Sequence, residues 1–101
     1  MITASVGRTV YKPKGKIHCE VQIIKDLKKK KIKLGKSKTL KITMSAWPCE
    51  ECHALLKSQA KGGVTIIVIV TADKYHEDHD LPAGSTGTII YAAGAAQASL
   101  D

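Results

Sequence analysis

A run of β-branched residues at positions 64–71, which reads VTIIVIVT, constrains the fold of this chain more than any other segment. A continuous apolar run of this length, preceded by Gly62 and Gly63, predicts a central strand that is buried on both faces of a sheet. Strands of that kind occur mostly in sheets that helices cover. The run is far shorter than the roughly 20 apolar residues that a bilayer span requires. We therefore expect an α/β domain with no membrane partner.

The length of the chain limits it to one domain. Its 101 residues, of which 44% are hydrophobic and 25% charged, have the composition of a globular protein with one modest core. The N-terminus has no apolar stretch of the length of a signal peptide, so we expect no secretion signal within this chain. Residues 1–101 are thus predicted to form a single domain.

The other elements are predicted from hydrophobic periodicity and from turn residues. Ile17, Val21, Ile24 and Leu27 have helical spacing and predict the buried side of a helix. The predicted order is a strand hairpin within 2–11, a helix over 17–33, a strand over 40–45, a second helix over 49–60, the central strand over 64–71, a polar loop over 73–87 and a last strand over 88–93. The Ala-rich tail after Gly94 is expected to be a short helix or a frayed end.

Positive charge is concentrated in the first half of the chain. Residues 1–44 contain 13 of the 16 Lys and Arg residues but only two of the nine acidic ones, and the whole chain has a formal net charge of +7. A basic surface of this kind suits a polyanionic partner, of which nucleic acid is the commonest. The alternative is a Lys-rich helix whose charged side is simply solvated.

Two short motifs bring histidine, cysteine and glutamate together at spacings that suit a metal. His18 and Glu20 occur in His-Cys-Glu, and Cys49 and Cys52 occur in Pro-Cys-Glu-Glu-Cys. Three cysteines, two of them three residues apart, in a chain without a secretion signal indicate metal or redox chemistry rather than a disulfide framework. The pattern H-x-E followed by P-C-x-x-C is the signature of zinc-dependent deaminases.

The residue types explain why this pattern suits catalytic zinc. A catalytic zinc ion has three protein ligands and one open position, and the imidazole of His18 with the thiolates of Cys49 and Cys52 gives that number. Both cysteines would lie at the start of a helix, where the dipole favours thiolates. Glu20, next to the metal but not bound to it, would move a proton from water to the leaving amine. The alternatives are a redox-active cysteine pair and a closed structural zinc site.

Residues 17–71 resemble the cytidine-deaminase superfamily. The resemblance implies an α/β sandwich with a mixed sheet of about five strands and two zinc-bearing helices packed on it. Residues 45–52, Ser-Ala-Trp-Pro-Cys-Glu-Glu-Cys, are similar to the Ser-Trp-Ser-Pro-Cys-x-x-Cys stretch of polynucleotide deaminases, with the tryptophan displaced by one position. On that resemblance Trp47 is a wall of the base pocket, and the alternative is a packing residue at the edge of the core.

The segment at 73–87 resembles that of one group within the superfamily. It has no helical periodicity and contains Pro82, Gly84 and Gly87. In this it looks like the compact bacterial polymorphic-toxin deaminases, whose last two strands are antiparallel. That group implies a C-terminal toxin domain of a larger secreted protein, which acts in the cytoplasm of the target cell. It also implies an immunity protein as a partner in the producing cell.

The charge and the resemblance together suggest a substrate. We expect conversion of cytosine to uracil in single-stranded DNA, because a free nucleoside does not require so basic a surface and an unpaired base enters a pocket at least cost. The candidates for phosphate contacts flank the turn before the first motif and are Arg8, Lys12, Lys14 and Lys16. The lysines at 28–31 lie at the far end of the predicted helix and are expected to contribute less.

Two other functions stay open at this point. The same site would also suit RNA, double-stranded DNA, a free nucleotide or adenine as the substrate. A protein of another class, a zinc-stabilised nucleic-acid-binding module without catalysis, would carry the same cysteines and lysines.

Five further residues lie close to the motifs. Tyr75, His76 and His79 follow the central strand, where the superfamily places a loop that contacts the flanking base. Tyr75 would stack on that base and the histidines would contact phosphate, unless the loop is simply solvated. Cys19 is expected to be a buried, inert thiol, and His53 a packing residue or a support for the ligands rather than a ligand.

Overall fold

The computed structural model describes residues 3–29, 31–32, 34–71 and 86–100. In chain order its elements are β1 (Ala4–Val6), β2 (Thr9–Tyr11), α1 (Cys19–Lys28), β3 (Thr39–Met44), α2 (Glu50–Gln59), β4 (Thr65–Val70), β5 (Gly87–Ala92) and β6 (Ala95–Leu100). The six strands of this described part form one mixed sheet in the order β2-β1-β3-β4-β5-β6. The predicted α/β class is confirmed.

The centre of the sheet is the parallel pair β3 and β4, with Thr39 opposite Thr65 and Met44 opposite Val70. Parallel neighbours need a crossover, and α2 forms it. The pairs β1–β2, β1–β3, β4–β5 and β5–β6 are antiparallel. The expected antiparallel pairing of the strands predicted at 64–71 and 88–93 is therefore confirmed.

The core lies on one face of the sheet, where α1 and α2 pack. Alternate strand residues point to that face and join buried helix residues in one cluster. From the strands it includes Leu40, Ile42, Met44, Ile66, Val68, Val70, Ile89 and Tyr91, and from the helices Ile23, Ile24 and Leu56. The prediction that the central strand is buried on both faces is wrong. Ile67 and Ile69 on the other face are only half-buried, because both helices cover the same side.

The sheet has six strands rather than the five expected, because the Ala-rich tail forms β6. It is paired along its whole length with β5, from Ala92 opposite Ala95 to Gly87 opposite Leu100. Ala93 and Gly94 make the two-residue turn, and both have positive φ, 53° and 74°. Such a turn matches the twist of the strands on either side. Strand pairing thus overrides the helical preference of alanine.

Helix α1 is shorter than the predicted span of 17–33. Ile17 is 42% exposed and lies before the helix, in a β-bridge with Lys14 in which each backbone N–H donates to the carbonyl of the other residue. Gly15, with φ of 60°, closes the turn between them. Both α1 and α2 have ten residues. No helix in the described part of the chain is long and apolar enough to cross a membrane.

The register places the starts of both helices at one edge of the sheet. Ala4 lies opposite both Tyr11 and Met44, and Met44 lies opposite Val70, so these residues form a row at that edge. The chain leaves β2 after Tyr11 to reach α1, and it leaves β3 after Met44 to reach α2. The N-termini of the two helices therefore meet above this row.

Candidate metal centre

The side chains of His18, Cys49 and Cys52 converge where the two helices begin. His18 Nδ1 lies 3.4 Å from Cys49 Sγ and 3.3 Å from Cys52 Sγ, and the three donor atoms lie within 4.8 Å of one another. His18 and Cys49 are the N-cap residues of α1 and α2. Cys52 lies in the first turn of α2. The structure therefore brings the three predicted donors together into a group that could bind a metal ion.

The distances and the chemistry of these donors fit zinc. In a tetrahedral zinc site with Zn–S of about 2.3 Å and Zn–N of about 2.0 Å, neighbouring N and S donors lie about 3.5 Å apart. The two His18–cysteine separations are only slightly shorter. In the part of the chain that the structure describes, the cluster has three members, whereas a closed structural zinc site has four ligands. A zinc ion bound by these three donors alone would keep one position for water or a ligand.

Without a metal, the surroundings of Cys52 favour its neutral thiol. Burial raises the pKa of the Cys52 thiol far above its usual value, and the charge of Glu20 and hydrogen bonds with Glu20 and Cys49 raise it further. The helix dipole, which was expected to favour the thiolate, is thus opposed by a larger effect of burial. A divalent cation between the donors would displace the proton and supply the missing positive charge.

Glu20 lies next to this cluster without being one of its members. It is in the first turn of α1 and is only 3% exposed. It is close enough to Cys52 to raise the pKa of that thiol, and it lines the same cavity as His18 and Cys49. A buried carboxylate is costly unless a charge or hydrogen bond compensates it. A cation held by the three donors would provide that compensation.

A cavity of about 260 Å³ opens beside the donors. Trp47 and Met44 form apolar walls, Pro13 and Gly15 come from the turn before α1, and Glu20 contributes an acidic group. This volume lies just below the roughly 300–1,000 Å³ of sites for drug-sized ligands, so it suits one small ring system. Trp47 is 1% exposed and belongs to the core cluster, which agrees with the packing role. It also lines the cavity, and its role as a wall of a base pocket stays a prediction.

Cys19 and His53 lie outside the group of three donors. The Cys19 thiol is buried and donates to the backbone carbonyl of Tyr11 at 3.4 Å, and burial raises its pKa. His53 Nδ1 lies 2.8 Å from the Tyr91 hydroxyl, and the two rings meet edge to face. These positions agree with an inert thiol and with a packing histidine.

Sequence reasoning did not find the part that Tyr91 takes in the site. This residue of β5 is fully buried, and burial, followed by the charges of Glu20 and Cys52, raises its pKa. Its hydroxyl, at 2.8 Å from His53 Nδ1, joins β5 to the first turns of α2. Its alternation with Ile89 along the strand predicts burial, but nothing in the sequence indicates the partner.

The predicted phosphate contacts divide into two pairs. Lys12 and Lys14 line a second, larger depression that adjoins the cavity at Pro13. Arg8, in the turn between β1 and β2, and Lys16 are exposed, and neither belongs to the described lining of cavity or depression. The predicted substrate contact Tyr75, with His76 and His79, lies outside the residues that the structure describes.

Comparisons with protein-family models, with curated proteins and with solved structures find no match to this chain.

Proposed function

We propose that this protein is a zinc-dependent hydrolytic deaminase that converts cytosine to uracil in single-stranded DNA. The observation that carries the proposal is the buried Glu20, which lies beside three zinc-type donors without joining them and lines the same cavity. A purely structural zinc site needs neither such a carboxylate nor a cavity at the metal. Hydrolysis at a metal needs both, because water and substrate must meet next to a base.

The residues of the site then have distinct tasks. His18, Cys49 and Cys52 would hold zinc, which when bound lowers the pKa of water to about 7 and supplies a nucleophile at neutral pH. Glu20 accepts a proton from the water and delivers it to the ring nitrogen beside the reacting carbon. A C–O bond forms at that carbon and gives it a hydroxyl group. Glu20 then takes the proton of this hydroxyl and passes it to the exocyclic amine, and the amine leaves as ammonia as the C–N bond breaks and the C=O bond forms. No oxidant or reductant is needed.

The walls of the cavity hold the base in position for this chemistry. Trp47 and Met44 contact the faces or edges of a flat ring and keep bulk water away, which strengthens the electrostatic effect of Glu20. A cavity of about 260 Å³ accepts one base but not a base pair. The base must therefore be unpaired before it enters, which favours a single strand.

The wider proposals rest on the resemblance. We propose that the two helices and the sheet form a deaminase-like sandwich, and that the domain belongs with the compact toxin deaminases of bacteria. It would reach the cytoplasm of a target cell as the C-terminal domain of a secreted toxin. An immunity protein would protect the producing cell.

Sequencing of nucleic acids after exposure to the protein tests the proposal. Zinc-loaded protein is incubated with pools of single-stranded DNA, double-stranded DNA and RNA, and every base change is counted. We expect C-to-U changes, most frequent in single-stranded DNA. Changes mainly in RNA, or A-to-G changes, would transfer the function to the alternative substrates. No change in any pool, with one zinc per chain, would overturn the proposal and leave a nucleic-acid-binding module.

Substitution of Glu20 separates catalysis from metal binding. Glu20→Gln keeps the size and hydrogen-bonding ability of the side chain but cannot accept the proton, so we expect activity to fall at least 100-fold while zinc content stays at one per chain. The matched control is Glu51→Gln, at an exposed acid in the first turn of α2, and it is expected to keep its activity. Full activity in Glu20→Gln would contradict the proposed role.

A further inference from the structure

A depression of about 650 Å³ lies between β2, the turn that follows it and α1. Five lysines line it, namely Lys12, Lys14, Lys25, Lys29 and Lys31. We call it the lysine groove. Pro13 lines both the lysine groove and the cavity beside Glu20, so the two depressions share a wall.

The lysines of the groove are held in a fixed arrangement by the backbone. Lys25 lies in α1 and Lys29 is its C-cap residue, and the backbone N–H of Lys29 donates to the Lys25 carbonyl at 3.0 Å, so the two lie one turn apart on one side of the helix. Gln22, on the same side, donates from its Nε2 to the carbonyl of Lys12 at 2.7 Å. The β-bridge between Lys14 and Ile17 fixes the rest of the turn. The helix lysines and the turn lysines therefore face one another across a defined space.

The charged residues that line the groove are mostly positive. Its described lining includes a single acid, Asp26, and Oδ2 of that carboxylate accepts a hydrogen bond from the Tyr11 hydroxyl at 2.7 Å. Asp26 is half-buried, whereas Lys25 and Lys29 are exposed. Several cations around one concave surface repel one another and attract a polyanion. A single phosphate would neutralise only a fraction of this charge.

We propose that the lysine groove binds the phosphodiester backbone of a single-stranded nucleic acid, with Lys25, Lys29 and Lys31 as phosphate contacts in addition to Lys12 and Lys14. The strand would cross the turn at Pro13, so that one base passes into the cavity. This last step rests on the proposed deaminase function, whereas binding in the groove does not. It departs from the expectation that the lysines at 28–31 contribute less, since Lys29 and Lys31 line one groove with the turn lysines.

Matched pairs of substitutions test the groove. The first variant is Lys25→Gln with Lys29→Gln, and the control is Lys57→Gln with Lys61→Gln, at exposed lysines that line a different depression at the end of α2. Both lose the same charge, and both are made in Glu20→Gln protein so that the probe is not altered. Binding of a fluorescent 15-nucleotide oligo-dC strand and of its RNA counterpart is measured by anisotropy at several salt concentrations.

If the groove binds the strand, the two double substitutions should differ greatly in their effect on affinity. Each phosphate contact to a single strand contributes about 0.7 to the slope of log K against log salt, so loss of two contacts lowers the slope by about 1.4 and the affinity in 0.1 M salt by about 25-fold. The control pair is expected to change the affinity less than threefold. DNA and RNA should respond alike, since both carry the phosphates. Equal weakening by both pairs, no weakening, or a loss with only one nucleic acid would overturn the proposal.

The binding experiment can fail without the proposed deaminase function failing, and the reverse also holds. If the groove variant loses binding but the unsubstituted protein deaminates nothing, the groove stands and the deaminase fails. If the unsubstituted protein deaminates cytosine while the two pairs bind alike, the deaminase stands and the groove is wrong. Thermal melting of all variants checks that the four exposed substitutions leave the fold intact.

Discussion

The metal-site cavity and the lysine groove share Pro13 but are built in opposite ways. The cavity is lined by buried groups such as Glu20 and Trp47, each held by a helix start or by the segment between β3 and α2. The groove is lined by exposed lysines on a helix and a turn. The cavity suits one ring, whereas the groove, at about 650 Å³ against about 260 Å³, is more than twice as large.

This difference predicts how each region responds to substitution. A buried polar group held in one geometry acts alone, because no neighbour can take its place. Exposed cations act through their combined field, so the loss of one leaves most of the attraction. We therefore expect a substitution in the cavity to remove zinc binding or activity almost completely. A substitution in the groove is expected to lower the affinity for nucleic acid in steps.

The largest effect is expected from Cys52→Ser. The hydroxyl of serine is a poor zinc ligand, and a zinc ion bound at this site would also stabilise the folded state. We expect zinc content to fall from one per chain to nearly none in the presence of a competing chelator, with a lower melting temperature. Cys19→Ser is the matched control, because this buried thiol lies outside the donor group. If Cys19→Ser loses zinc as readily as Cys52→Ser, the assignment of the donors is wrong.

The next effect concerns the wall of the groove and depends on pH. Burial, followed by the hydrogen bond to Asp26, raises the pKa of Tyr11 to about 12. Below pH 10 the phenol is neutral in both the folded and the unfolded chain, so its stabilising contribution is complete. Between pH 10 and 12 the unfolded chain loses the proton first. Compared with Tyr11→Phe, the protein should lose up to about 2 kcal/mol of unfolding free energy across this range, less than the full pKa difference corresponds to, because solvent near the hydroxyl screens its charge.

Chemical denaturation of both proteins at pH 8 to 12 measures this loss. The lysines are the same in both proteins, so their titration cancels in the comparison. If the unfolding free energies of the two proteins changed with pH in parallel, the raised pKa of Tyr11 and its hydrogen bond to Asp26 would be contradicted. Asp26 would then face the lysine groove without that partner, which would weaken the case for phosphate binding there.

A smaller effect is expected where β5 supports the metal site. Tyr91→Phe removes the hydroxyl at 2.8 Å from His53 Nδ1, and loss of such a partner within the protein costs about 1–2 kcal/mol. Urea denaturation of Tyr91→Phe, His53→Leu and the double variant gives the coupling between the two side chains, which we expect to be about 1 kcal/mol. Additive losses would show that the pair does not connect β5 to α2.

The smallest effect is expected from one groove lysine. Lys29→Gln should lower affinity for the oligo-dC strand about fivefold in 0.1 M salt and reduce the salt slope by about 0.7. The salt series described for the paired variants measures both values. Complete loss of binding from this one substitution would contradict a groove that acts through summed charge, and would make Lys29 a specific contact of the kind expected in the cavity.

The cysteine pair and the histidine of the candidate metal site were each predictable from sequence because each lies at a helix start. Cys49 and Cys52 are one turn apart at a helix start, and His18 is fixed by the N-terminus of the other helix. The alternation of apolar residues in β3 and the β-branched run of β4 likewise predicted the centre of the sheet. In these segments one residue pattern permits few backbone conformations.

Other features depend on contacts between distant segments and could not be predicted. Strand β6 exists because the Ala93-Gly94 turn allows the Ala-rich tail to pair with β5, although alanine alone favours a helix. The lysine groove exists because α1 runs back along β2, which brings Lys29 near Lys12. The sequence predicted a polyanionic partner near the turn before His18, but nothing in it indicated that Lys25, Lys29 and Lys31 lie beside that turn.

The central claim is that His18, Cys49 and Cys52 hold zinc with one position open and with Glu20 close by but unbound. X-ray absorption at the zinc edge tests it most directly, on the unsubstituted protein and on Glu20→Gln. We predict the same spectrum for both, with two sulfur ligands at about 2.3 Å and two nitrogen or oxygen ligands at about 2.0 Å. Three or four sulfur ligands, or a light-atom ligand lost in Glu20→Gln, would contradict it.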